Sequence, residues 1–270
     1  LTHINNEYCD EIICRLLIAI SLRSDILEKI LEVTGLTKLY RNGRGASNIS
    51  LTLERGDVVG LLGPNGSGKT TTMKAIVGLV HADSGTVKIF GHDVEEDFEK
   101  AMDRVGCLIE APSLYEYMTA AANLRLASRY YPGVTKKRIE DVLKLVRLDK
   151  YKKDRVGRFS LGMKQRLGLA LAFLSEPELL ILDEPANGLD IEGIVEIREI
   201  ILRLAREKNI TFLISSHIAA EIEKTCNKVA VLHEGEMLSF DTMEDALARY
   251  PTLEDYYLDK VRNKRGPLVL

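Results

Sequence analysis

Residues 63–70 read Gly63, Pro64, Asn65, Gly66, Ser67, Gly68, Lys69 and Thr70. A glycine, four residues and then Gly-Lys-Thr is the spacing of a loop that cradles phosphate. The chemistry explains the residue types. Glycines let the backbone wrap closely, so its N–H groups converge on an anion. A lysine in the position of Lys69 reaches the β- and γ-phosphates, and a hydroxyl in the position of Thr70 can ligate Mg²⁺. Such a loop needs a buried strand before it and a helix N-terminus after it, where the helix dipole favours negative charge. The apolar run at 58–62 supplies the strand, and 71–79 has the apolar spacing of a helix.

A second set of chemical groups follows the apolar run 179–182, which ends in Asp183 and Glu184. An acid at the end of a buried strand is costly unless it faces a cation or donors. Next to Thr70, Asp183 can hold Mg²⁺ directly or through water, and Glu184 can polarise an attacking water.

The remaining pattern is α/β. Short strands are expected at 31–36 and 49–53 around a turn at 41–45, then at 86–90 and 104–109. From about 113 to 172 the texture turns helical; Ile139, Val142, Leu143 and Val146 share one helix face, and Pro132-Gly133 separates two helices. A strand at 179–182, a helix at 191–206, a strand at 210–215 and a hairpin of 229–232 with 236–240 complete the pattern. Residues 251–270 read as a solvated, frayed tail.

Bulk properties bound the answer. A chain of 270 residues with 46% hydrophobic and 29% charged content suits one large α/β domain or two small ones. A net charge of −3 gives no general attraction to nucleic acid or anionic lipid. Cys9, Cys14, Cys107 and Cys226 lack metal-ligand spacing and read as free thiols in a reducing cytoplasm. No apolar run reaches the roughly 20 residues that a spanning helix needs. Residues 1–29 start with leucine and hold an apolar run at 12–20 broken by Arg15. They read as a non-essential extension, from a mis-assigned or alternative start; a signal peptide and a membrane-surface helix are the competing readings.

Phe159, Ser160, Leu161, Gly162, Met163, Lys164, Gln165 and Arg166 open an amphipathic helix shortly before the acid pair. With the phosphate loop upstream, this resembles the ATP-binding subunits of ABC transporters, whose signature is Leu-Ser-Gly-Gly-Gln. Ser160 and Gly162 match its serine and second glycine; Phe159, Leu161 and Met163 depart from it. The resemblance covers about residues 31–250. It implies a P-loop NTPase fold of the ABC type: a RecA-like core, an antiparallel β subdomain and a helical insertion at about 113–172, within a domain at 30–250. It also implies ATP held by Gly63 to Thr71, with Tyr40 stacked on adenine and Ser160 with Gly162 closing on the γ-phosphate of a partner copy. Asp190, in Gly188-Leu189-Asp190, resembles the loop that communicates between the two sites of a dimer, and His217 resembles the switch histidine. Glu110 stands where the family carries a glutamine that touches Mg²⁺ and water. Together with Ala111, Pro112 and the Ser-Leu-Gly-Met variant, it resembles the bacitracin-resistance and lantibiotic-immunity exporters.

The function implied is an ATPase subunit that powers export, of antimicrobial peptide or antibiotic, through a separate polytopic membrane permease. Catalysis is expected from Lys69, Glu184 and His217, and metal binding from Thr70, Asp183 and Glu110. A homodimer on the inner face of the membrane, with no nucleic-acid partner, is expected. The competing readings are a soluble ABC-type ATPase in a non-transport role and a nucleotide-binding regulator without turnover.

Overall fold

The computed structural model describes residues 28–265. The extension at 1–27, with Cys9 and Cys14, lies outside the described residues, and of the expected extension only 28–29 are seen. Chain order is β1 (Lys29–Leu39), β2 (Gly45–Glu54), β3 (Val58–Leu62), α1 (Lys69–Ile76), β4 (Ser84–Ile89), β5 (His92–Asp93), α2 (Phe98–Met102) and β6 (Val105–Leu108). Then come α3 (Ala120–Ala127), α4 (Lys136–Leu145), α5 (Leu161–Ala172), β7 (Leu179–Leu182), α6 (Ile191–Lys208), β8 (Thr211–Ser216) and α7 (Ala219–Thr225). The chain closes with β9 (Lys228–His233), β10 (Glu236–Thr242), α8 (Met243–Arg249) and α9 (Leu253–Arg265).

The strands form one sheet in the order β5-β4-β1-β2-β10-β9-β3-β8-β7-β6. Its first four strands are antiparallel. The run β9-β3-β8-β7-β6 is parallel. The β9–β10 hairpin joins the halves, and β10 meets β2 through Glu236 opposite Ser47. The parallel strands read as unbroken apolar runs because both faces are covered. All of β3, β7 and β8 is buried. Successive side chains alternate between two cores. Val59, Leu61, Ile181 and Leu213 face α1 and the antiparallel subdomain; Val58, Leu62, Leu180, Leu182, Phe212 and Ile214 face the helical side. The helices α3, α4 and α5 pack in this second core through Leu124, Leu143 and Leu167.

Two differences from the sequence reading have physical causes. The helix after the phosphate loop begins at Lys69, two residues before the expected start, because Lys69 and Thr70 already have helical geometry. Within the expected frayed tail, 253–265 form a packed helix instead: α9 buries Leu253, Tyr256 and Val261, while 266–270 lie outside the described residues. Tyr256 hydrogen-bonds Ser239 and Asp241 on β10, and Tyr250 donates to Asp259. Burial pushes the Tyr256 hydroxyl well above the usual phenol range. The apolar residues are too few and too scattered among charges for periodicity alone to reveal this face.

A polar knot ties the start of β3 to β9. Asp57, 6% exposed, accepts from Asn227 Nδ2 at 3.1 Å, Glu54 N at 2.8 Å and Lys228 Nζ at 2.8 Å. Asp57→Ala is expected to destabilise the chain by about 2 kcal/mol. Lys228 retains Glu54 as a partner, which keeps the loss below the ~3–5 kcal/mol of a fully orphaned buried charge. Denaturant unfolding midpoints measure it; a change under about 0.5 kcal/mol would show the knot to be surface decoration.

Candidate functional site

The phosphate-loop geometry begins with β3, an interior strand that delivers Gly63 at its C-terminal end. A Cβ at Gly63 would sit 2.2 Å from the Leu232 carbonyl oxygen, so only glycine fits there. Gly68 has φ +101°, and a Cβ on it would lie 2.6 Å from the Gly45 carbonyl oxygen. The β1–β2 turn therefore presses against the loop at its helix end. Gly66 also has positive φ, but a Cβ there meets nothing within 4 Å. Gly68→Ala is accordingly expected to cost about 3 kcal/mol or more, from strain plus collision, and Gly66→Ala about 1 kcal/mol. Chemical unfolding of the two variants checks this contrast; equal losses would overturn the geometry.

Gly68 caps α1 without any side-chain capping bond. The first N–H groups of α1 have no intrahelical acceptor, so the helix offers them to an anion. The Ser67 hydroxyl is buried without a hydrogen-bond partner. Lys69 is buried, and its Nζ donates to Gly63 O at 2.8 Å and Pro64 O at 3.2 Å. The same ammonium lies 3.2 Å from Glu184 Oε1. A single positive charge is thus held at the mouth of an N–H cradle, with a carboxylate beside it.

The strands β7 and β8 bring the acids and the histidine to this mouth. Their parallel register places Leu182 opposite Ile214, so Asp183 and Ser215 follow as neighbours. Ser215 Oγ donates to Asp183 Oδ1 at 2.5 Å, and Thr70 Oγ1 donates to Asp183 Oδ2 at 2.8 Å. Glu184 N donates to Ser215 Oγ at 2.8 Å. Glu184 has φ +45°, a left-handed conformation that costs a non-glycine residue about 1 kcal/mol or more. That turn aims its carboxylate back at Lys69, and His217 Nδ1 lies 2.9 Å from the other carboxylate oxygen. Ser215 is the residue that sequence reasoning passed over. Only strand register shows that it joins both acids.

Ser160 caps α5, accepting from Met163 N at 3.3 Å, and Asp190 caps α6, accepting from Gly193 N at 2.9 Å. The two helix starts touch: a Cβ on Gly162 would lie 3.8 Å from a Leu189 methyl, and one on Gly188 3.1 Å from a Leu161 methyl. Among the described residues no hydrogen bond or ion pair ties Ser160, Gly162 or Asp190 to Gly63–Thr71. Glu110 follows β6 and pairs with Lys74 of α1. Tyr40 is 42% exposed in the turn after β1, where its N–H donates to Arg44 O at 2.8 Å. Beside that turn, Leu39, Gly43, Arg44, Asn65, Gly66 and Glu234 line a cavity of about 500 Å³.

These features fit a nucleoside triphosphate with Mg²⁺. The cradle, the orphaned Ser67 hydroxyl and the Thr70–Asp183 pair supply donors for phosphate and hard oxygen ligands for the ion. The family model for ABC transporters matches residues 46–187. The chain belongs to the ABC transporter ATP-binding family. A bacitracin transport ATP-binding protein of Bacillus licheniformis is 42% identical over 83% of this ABC chain and 74% of its own length. A lantibiotic transport ATP-binding protein of Streptococcus pyogenes is 38% identical over 77% of the chain and 89% of its own. A solved ATP-binding subunit of an ABC transporter superposes with TM-score 0.76 at 32% identity, covering 86% of this chain and 99% of that one. The mixed sheet with its helices is the ABC-type P-loop fold. Among the described residues no helix is long and apolar enough to cross a membrane.

Proposed function

We propose that this ABC ATP-binding chain hydrolyses ATP to drive export of a peptide antibiotic through a separate permease. The observation that carries the reading is the convergence of Lys69, Glu184 and His217 at one end of the N–H cradle, with Thr70 on Asp183 beside them. In this assignment the loop from Gly63 to Thr71 binds the phosphates and Lys69 spans β- and γ-oxygens. Glu184 accepts the proton of the attacking water, and His217 holds the Glu184 carboxylate in line. Thr70 and Asp183 would hold Mg²⁺, which offsets phosphate charge when bound. The rest of the work is positioning and charge stabilisation.

Ser160 and Gly162 are assigned to a second copy's γ-phosphate; in support, among the described residues no hydrogen bond or ion pair joins them to the phosphate loop of their own chain. Two copies then sandwich two triphosphates, and Asp190 sits at the junction between the sites. The adenine is assigned to Tyr40. The loop after Glu110 faces the permease, which places the chain at the inner face of the membrane. Bacitracin or a lantibiotic is the proposed cargo class, supported by the relatives' names and by Glu110 in the loop. The test is expression of the chain with its permease in a bacitracin-sensitive host. Raised resistance and peptide-stimulated ATP hydrolysis by the purified complex are expected. ATP hydrolysis indifferent to every peptide antibiotic would remove the cargo assignment.

A further inference from the structure

We propose that Lys74 and Lys164 are positioning residues for the 110–116 segment, fastening it to both helices that the proposed function assigns to nucleotide; the inference rests on that reading. The segment leaves β6 at Glu110, whose φ of +62° is left-handed and strained for a non-glycine residue. Lys74 Nζ donates to Glu110 Oε1 at 2.5 Å. Lys74 lies on α1, the helix that opens at Lys69 and Thr70. At the other end, Lys164 Nζ donates to Glu116 Oε1 at 2.5 Å. Lys164 lies on α5, in the first turn after the Ser160 cap.

The two anchors differ in what surrounds them. The Glu116 end is backed by the helical subdomain. Gly157 N donates to Glu116 O at 2.8 Å, and Asn123 exchanges hydrogen bonds with the Tyr115 backbone at 2.9 and 3.1 Å. Pro112 packs against α5 at Gly168, where a Cβ would lie 2.6 Å from it. Among the described residues, the Glu110 side chain forms a direct ion pair to α1 only through Lys74. That pair is partly solvated, with side-chain exposures of 27% and 63%. It is therefore weak enough to break when the phosphate loop changes its charge. The Lys74 ammonium sits directly on the Glu110 carboxylate. Lys74 thus neutralises the negative charge that a glutamate brings close to a phosphate site. The loop is fixed to the signature helix and tethered by a single releasable charge pair to the phosphate-loop helix.

The experiment uses the chain with its permease and compares wild type, Lys74→Met, Glu110→Gln, the double variant and Lys74→Arg. Amide hydrogen exchange across 110–116 is read without nucleotide and with MgATP, beside the affinity for a fluorescent ATP analogue. In the nucleotide-free protein, Lys74→Met is expected to speed exchange at 110–113 by about threefold, the scale of a partly exposed ion pair. Lys74→Arg keeps the wild-type pattern. In the Glu110→Gln background the Lys74 change adds nothing, and MgATP alters exchange in wild type but not in Lys74→Met. Independent, additive effects of the two substitutions would overturn the proposal, as would unchanged exchange in Lys74→Met. Failure of wild type to bind the analogue would instead count against the nucleotide assignment, leaving the nucleotide-free comparison readable.

Discussion

Glu184→Gln is expected to bind ATP, to slow hydrolysis at least about tenfold, and to accumulate as an ATP-bound dimer. The amide keeps the shape of the carboxylate, so the left-handed turn and the Ser215 bond to the Glu184 N–H persist. What disappears is the charge that accepts a proton. A positioned general base contributes about 10²–10⁴ in rate, so tenfold is a conservative floor. Binding survives because the N–H cradle and Lys69 are untouched. The substitution even relieves Lys69 of a competing anion 3.2 Å away. Single-turnover hydrolysis gives the rate, and light scattering with ATP present gives the mass. Near-normal turnover would show that another group activates the water.

Lys69→Ala is expected to weaken nucleotide binding by about 10- to 100-fold. Charge-assisted hydrogen bonds to phosphate contribute about 1.5–3 kcal/mol, which sets that range. Lys69 is only 4% exposed, so its charge meets phosphate with little screening. Its removal leaves Glu184 beside the cradle with His217 as remaining partner, which makes the local potential more negative. Two backbone carbonyls, of Gly63 and Pro64, lose their donor as well. Titration with a fluorescent ATP analogue measures the loss, with unchanged circular dichroism as the control for folding. Unaltered affinity would overturn the phosphate-loop assignment.

The parallel strands were legible because burial on both faces writes them as unbroken apolar runs, as in 58–62 and 179–182. The helical stretch was legible at α4, where Ile139, Val142 and Leu143 repeat on one face and are all buried. The helix α9 was not, since its contacts with β10 are tyrosine hydroxyl bonds and a charged pair, which leave no periodic trace. The antiparallel strands β1 and β2 run beyond the expected limits for a similar reason. Their ends at Leu39 and Gly45 are set by pairing with each other rather than by apolar content.

For this protein the amino-acid order alone pointed to the phosphate loop, the acid pair and the capped helix, because each depends on local residue types at short spacing, while the histidine came from the resemblance to the ABC family. Tertiary structure alone decided which of them meet. Asp183 reaches Thr70, and Glu184 reaches Lys69 and His217, because β3, β8 and β7 lie side by side in parallel register. Ser215 gained its partners in the same way, and Lys74 gained Glu110 because the helix α1 brings it to the loop after β6. Hydrogen bonds between strands and ion pairs between helix and loop join residues far apart in the chain, and no local pattern records which two will be neighbours.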